Sequence, residues 1–168
     1  IKGDGNVGIG VVPESWYTAI DALQVGLGAS FAGSTTNPSR TYLSANYYQN
    51  SSNQATYLAT DEASQYFQNA GTHIFKVAPS GSADSAISWT TAMTIDNSGN
   101  VGIGVTPAAW KTSGAEKVLQ IDTASLYNNS DNNVYLNSNW FLNSSGQNVY
   151  IESDFATSFA QVAGNHIW

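Results

Sequence analysis

The chain has 168 residues, 42% of them hydrophobic and 12% aromatic but only 10% charged, with a formal net charge of −7. Five Lys and Arg cannot build a basic patch that neutralises several phosphates, which argues against nucleic acid and anionic membrane surfaces as partners. With no Cys there is no disulfide framework or thiolate metal site, and apolar runs of a few residues are too short to span a bilayer.

Polarity comes from Asn, Ser, Thr, Gln and Gly. With this many aromatics, that composition fits an extended β structure with much solvated surface better than disorder. The chain opens mid-pattern and its single Met is Met93, so it reads as a piece of something longer.

In chain order, the first feature is a turn-and-strand box, Asp4-Gly5-Asn6-Val7-Gly8-Ile9-Gly10-Val11, which returns as Asp96-Asn97-Ser98-Gly99-Asn100-Val101-Gly102-Ile103-Gly104-Val105. Turn residues release the chain into a short strand whose Val and Ile side chains point one way, with glycines on the other face. Such a glycine face admits a second backbone at close range, and a crowded chain–chain contact is the expected use. Residues 13–16, with Pro and Glu in a first turn, suggest one short helix. Alternation and β-branched or aromatic content predict strands at 7–11, 23–27, 41–45, 55–58, 73–77, 86–89 and 92–95. Residues 61–70 are compatible with a second short helix, a strand or a loop.

The box marks a tandem duplication. Gly5 falls on Gly99, 94 residues on; at that spacing Ile1 matches Ile95, Pro13 matches Pro107 and Trp16 matches Trp110. Leu23-Gln24-Val25 then answers to Leu119-Gln120-Ile121, Tyr42-Leu43 to Tyr135-Leu136, and Asn46-Tyr47-Tyr48 to Asn139-Trp140-Phe141. Gly71-Thr72-His73-Ile74-Phe75 falls on Gly164-Asn165-His166-Ile167-Trp168. The expected modules are residues 1–94 and 95–168, the second stopping before its end. Each is small and rich in residues that bury little apolar area, and its strand edges need cover. Several chains wrapping around one another would meet both needs.

The stretch from Gly71-Thr72-His73-Ile74-Phe75 through Ala86-Ile87-Ser88-Trp89 to Ser98-Gly99-Asn100-Val101-Gly102-Ile103-Gly104 resembles the shaft modules of bacteriophage tail fibres. The resemblance covers essentially the whole chain. It implies a mostly β, elongated, repetitive and intertwined homotrimer with at most one or two short helices per repeat, acting in the virion as a rigid spacer for host-cell adhesion. Similar boxes occur in bacterial surface fibres, which would place the chain on an extracellular bacterial surface instead.

Three groups of residues are candidates for chemistry. His73 and His166 occupy equivalent positions and are candidate axial metal ligands in a trimer. With no second ligand type nearby they read as packed or hydrogen-bonded side chains, and no metal or cofactor is expected. Asp61, Glu62 and Asp154 raise the possibility of a polysaccharide depolymerase. Asp61 and Glu62 are neighbours, however, expected on opposite faces of a strand, and the duplication replaces Glu62 by Phe155. Tyr47, Tyr48, Trp140 and Phe141, flanked by Asn, are candidate sugar-stacking rings for host surface polysaccharide, with one ring of each pair expected in the core. Gly8, Gly10, Gly102 and Gly104 lack the spacing and the Lys of a phosphate loop. Asn50, Asn128 and Asn143 begin Asn-x-Ser sequons, relevant only in a eukaryotic secretory setting. The chain is therefore read as a structural segment and not an enzyme.

Overall fold

A computed structural model describes residues 2–111, 116–129, 131 and 133–167; Ile1 and Trp168, matched above with Ile95 and Phe75, lie outside them. The described residues are all β, without a helix, and the chain divides into two compact units, Ile1–Ala92 and Met93–Trp168.

Unit 1 begins with strand β1 (Val7–Ile9), which runs parallel to β2 (Ile20–Val25). From β2 the sheet continues antiparallel through β3 (Ala29–Ser34), β4 (Thr41–Ala45), β7 (Asp61–Asn69) and β8 (Thr72–Gly81). A separate two-stranded ribbon, β5 (Tyr48–Gln49) with β6 (Ala55–Thr56), lies between β4 and β7 in sequence. The β7–β8 hairpin turns on Ala70 and Gly71, both at positive φ, the two-residue turn whose twist suits antiparallel strands.

Unit 2 repeats this plan. β10 (Val101–Ile103) pairs antiparallel with β9 (Thr90–Ile95) and parallel with β11 (Lys117–Ile121). Antiparallel β12 (Ala124–Asn128), β13 (Val134–Ser138), β16 (Thr157–Val162) and β17 (Asn165–Ile167) follow. The ribbon is β14 (Trp140–Leu142) with β15 (Asn148–Tyr150), and the last hairpin again turns on a positive-φ pair, Ala163-Gly164. Even the parallel register recurs: Val7 faces Leu23 in unit 1 and Val101 faces Leu119 in unit 2.

In each unit one sheet face is covered by loops and the ribbon. In unit 1 the sheet residues Ile20, Ala22, Ala32 and Tyr42 pack with Trp16, Tyr47, Tyr48, Tyr57 and Ile87 from the covering segments. In unit 2 Val118 and Tyr127 pack with Trp110, and Phe141 and Leu142 lie against them. Trp16 and Trp110 are anchored by isolated bridges to Asn50 and Asn143.

The helix expected at 13–16 is absent, and of the states open to 61–70 the chain takes the strand. Residues 13–16 are extended because their backbone has non-helical partners: Glu14 N–H donates to Gln24 Oε1 (3.0 Å), and Tyr17 N–H to the Gln49 carbonyl (2.8 Å). The stretch 61–70 is strand β7 and the start of its hairpin turn. Residues 86–89 form no strand; Ala86 makes one bridge with Thr56, and Ile87 packs into the core. β3 and the short β5 are unanticipated strands in unit 1; the Ala, Ser and Gly of β3 have weak β preference and are held by pairing on both sides.

Candidate functional site

The glycine box closes on its own chain. A Cβ on Gly8 would stand 2.0 Å from the Val11 carbonyl oxygen and 2.8 Å from Pro13 Cδ. On Gly102 it would stand 2.2 Å from the Val105 oxygen and 2.9 Å from Pro107 Cδ. This corrects the chain–chain expectation at these two positions: the close neighbour is the bend that leads from the box into the long parallel connection. Gly10 and Gly104 serve that bend through positive φ (71° and 69°), with open space around them. Gly5 and Gly99 also have positive φ and complete the turn before the strand. Asp96 Oδ1 holds the second of these turns through the N–H groups of Ser98 and Asn100.

Two polar side chains per unit do equivalent internal work. Gln24 and Gln120 are each 1% exposed; Gln24 Oε1 accepts from Glu14 N–H, and Gln120 Oε1 from Ala108 N–H. Asn46 and Asn139, both at positive φ, end β4 and β13 and latch the following loops. Asn46 Oδ1 accepts from Ala59 N–H (2.8 Å) while its amide donates to the carbonyls of Ala59, Asp61 and Glu62. Asn139 Oδ1 accepts from Glu152 N–H (2.8 Å), and its amide donates to the carbonyls of Glu152 and Phe155.

The candidate sugar platform in unit 1 is inside the protein. Tyr47 and Tyr48 are both buried because the positive-φ Asn46 breaks strand alternation just before them. Tyr47 lies edge-on to Trp16 and against Trp89; Tyr48 also meets Trp16 edge-on and donates from its hydroxyl to Asp84 Oδ1 (3.2 Å). Burial first, and then the Asp84 charge, push the Tyr48 hydroxyl up to about 12; burial raises Tyr47 further. In unit 2 Trp140 and Phe141 are half-buried, Phe141 edge-on to Trp110, and Trp140 borders a hollow with Asn148 and Tyr150.

The acids do not form a separated catalytic pair. A register shift at the start of β7 overrides the expected alternation, and Asp61 and Glu62 interact directly on the surface. Hydrogen bonds from the Glu62 side chain and backbone N–H hold Asp61 below the usual carboxylate value. Asp154 accepts from Phe155 N–H in an exposed loop. Asn50 and Asn143 cap equivalent turns through Oδ1, and Asn128 Oδ1 accepts from Lys117 N–H. His73 is hydrogen-bonded through Nδ1 to the Tyr66 hydroxyl and stacks on that ring; His166 stacks on Phe159. Among the described residues no three His, Cys, Asp or Glu gather to hold a metal, and no helix is long and apolar enough to cross a membrane.

The feature that sequence reasoning missed is the polarity of the sheets. In unit 1 the cross-strand row Gln24, Ser30, Ser44 and Gln65 is buried under the loops, and Gln65 Nε2 donates to Ser44 Oγ. The adjacent row, Leu23, Phe31, Leu43, Tyr66 and Phe75, faces outward, with Phe31 53% and Leu43 56% exposed. Unit 2 repeats this pair of rows. Gln120, Ser125 and Asn137 are buried, whereas Leu119, Leu126, Leu136 and Phe159 share the open face, Leu136 at 56% exposure.

No family model, curated protein or solved structure matches the chain.

Proposed function

We propose that this chain is a structural segment of a homotrimeric surface fibre, a rigid spacer of the kind carried by bacteriophage tails, which holds an adhesive tip away from the particle. The supporting observation is what the duplication retains. Gly8 and Gly102, Gln24 and Gln120, Asn46 and Asn139, and Trp16 and Trp110 all serve the internal scaffold of their units. Of the residues proposed for chemistry, His73 recurs as His166 and Asp61 as Asp154, while Glu62 gives way to Phe155 and Tyr47-Tyr48 to Trp140-Phe141. A chain that repeats its internal framework and does not keep its adjacent acid pair fits a mechanical role, in which joining several chains presents several tips at high effective concentration. A bacterial surface fibre would work in the same way.

Light scattering combined with cryo-EM tests this reading. The expected result is three chains in a long, narrow particle with an axial repeat; a compact monomer at all concentrations overturns it. A glycan array on the same sample should stay silent. A saccharide-dependent signal would move recognition from the tip into the shaft.

A further inference from the structure

The open sheet faces are apolar although the opposite faces already carry the cores of the two units. Ordinarily the apolar side of a half-covered sheet is the covered side, because burying apolar area is the main favourable term. Here the covered face carries Ile20, Ala22, Ala32 and Tyr42 in unit 1, and Val118 and Tyr127 in unit 2, beside its Gln- and Ser-bearing row, and the opposite face still leaves Leu, Phe, Ile and Val open. In unit 1 Ile9, Val25, Phe31, Leu43, Phe75 and Val77 are each 41–56% exposed. Together they leave on the order of 500 Å² of apolar surface, the scale at which a patch marks an interaction site.

We infer that other copies of this chain cover this face, which is the surface through which the strands of the fibre pack. The inference rests on the multi-chain reading above and assigns its interface. Three observations favour a copy over a foreign partner. The face recurs at equivalent positions in both units, so an identical chain offers a matching patch for each. It also avoids the charge that would make identical chains repel. The sequence has 12 Asp and Glu against 5 Lys and Arg, yet the outward rows defined by strand pairing carry only Asp21 in unit 1 and Lys117 in unit 2, both at a margin. Finally, two patches of on the order of 500 Å² give each chain roughly 1,000 Å² of open apolar area, above the about 800 Å² per partner found in stable interfaces. His73 and His166 lie in the same marginal rows as Asp21 and Lys117, which places them at the rim of the contact.

The test uses the full chain. Leu43→Glu and Leu136→Glu each put a carboxylate on the open face, and Ser52→Glu puts one in an exposed loop as the control. The expected result is an oligomer for the parent and the control, and at least a tenfold rise in dissociation constant for the two Leu variants, with circular dichroism unchanged. If the parent is an oligomer that both Leu variants keep at parental affinity, the face is wrongly assigned while the fibre reading stands. If the parent is a monomer, both fall, and the face belongs to another partner. A gentler variant covers the case in which a Glu variant misfolds. The chain has no Cys, so Leu43→Cys and Ser52→Cys each create a single thiol. In the assembled parent background, a polar thiol reagent should label Leu43→Cys at least tenfold more slowly than Ser52→Cys; equal rates overturn the assignment.

Discussion

Trp16 and Trp110 stand at the same point of the two units, but their indole N–H groups meet different fates. Trp110 Nε1 donates to Gln120 Oε1 (3.0 Å), whereas the buried Trp16 Nε1 has no partner among the described residues. The surroundings differ as well. Trp16 is edge-on to two tyrosines, Tyr47 and Tyr48, in an extended aromatic cluster; Trp110 stacks on Tyr127 and meets Phe141 edge-on. The backbone plan is therefore not dictated by one packing solution. Backbone-level devices (the glycine bend, the Asn latch, the positive-φ hairpin turn) recur, while the aromatic filling is free to vary.

The largest expected effect tests whether those backbone devices are truly shared. Gly8→Ala and Gly102→Ala each drive a Cβ into a carbonyl oxygen of the chain's own bend, and each should cost more than about 3 kcal/mol. Hydrogen exchange read by mass spectrometry should show lost protection in β1 and β2 for the first, and in β10 and β11 for the second. By contrast, Gly10→Ala and Gly104→Ala meet open space and should cost only the left-handed backbone penalty of about 1–2 kcal/mol. Equal effects at both glycines of a box would break the argument from close approach.

Alkali should separate the two aromatic fillings. The raised values of Tyr47 and Tyr48 mean that the folded state keeps protons that the unfolded state releases above pH 10. Their contribution is fully present below pH 10 and is lost as the pH climbs to the folded value of Tyr48, about 12, and beyond. Burial raises Tyr42 in unit 1 too; in unit 2 burial, and then the charge of Glu116, raise Tyr127, while Trp140 and Phe141 do not titrate. Unit 1 should therefore unfold first on an alkaline titration followed by tyrosinate absorbance, and Tyr48→Phe should move its midpoint to higher pH. A midpoint indifferent to that substitution would separate burial of Tyr48 from alkaline stability.

The latches come next. Asn46→Ala removes a buried amide and leaves Ala59 N–H without its partner, at an expected cost of about 2–3 kcal/mol in urea unfolding. Asn139→Ala, with fewer carbonyls engaged, should cost slightly less. Because φ is positive at both sites, Asn→Gly should recover about 1 kcal/mol of the loss. The smallest contrast is at the tryptophans. Trp110→Phe should be about 1 kcal/mol more destabilising than Trp16→Phe, since only Trp110 loses a hydrogen bond. Equal costs would show that the Trp16 N–H is satisfied in solution.

Much of the local structure was legible. Residues 41–45 alternate Thr, Tyr, Leu, Ser and Ala, and strand β4 spans those residues. The turn residues of 96–99 do form the turn into β10. Residues 13–16 were misread because Pro and Glu suit a helix start locally, while Gln24, distant in sequence, takes the Glu14 N–H. Alternation places one ring of the Tyr47-Tyr48 pair in the core and the other outside, but both are buried because the chain leaves the strand at Asn46.

The sequence by itself determined the β class, the duplication, the boxes and their turns, since these depend on residues close together in the chain and on a spacing that can be counted. Only the tertiary structure decided which side of each sheet is covered. Alternation sorts Leu43 from Ser44 into opposite faces but does not say which face the loops will lie on. That depends on where Trp16, Tyr47 and Tyr57 return, and they return over the face that carries Ile20, Ala22, Ala32 and Tyr42 beside the Gln24–Ser44 row. Nor could spacing show that Gly8 is crowded by its own bend, because closeness between Gly8 and Val11 is a property of the folded path and not of the pattern.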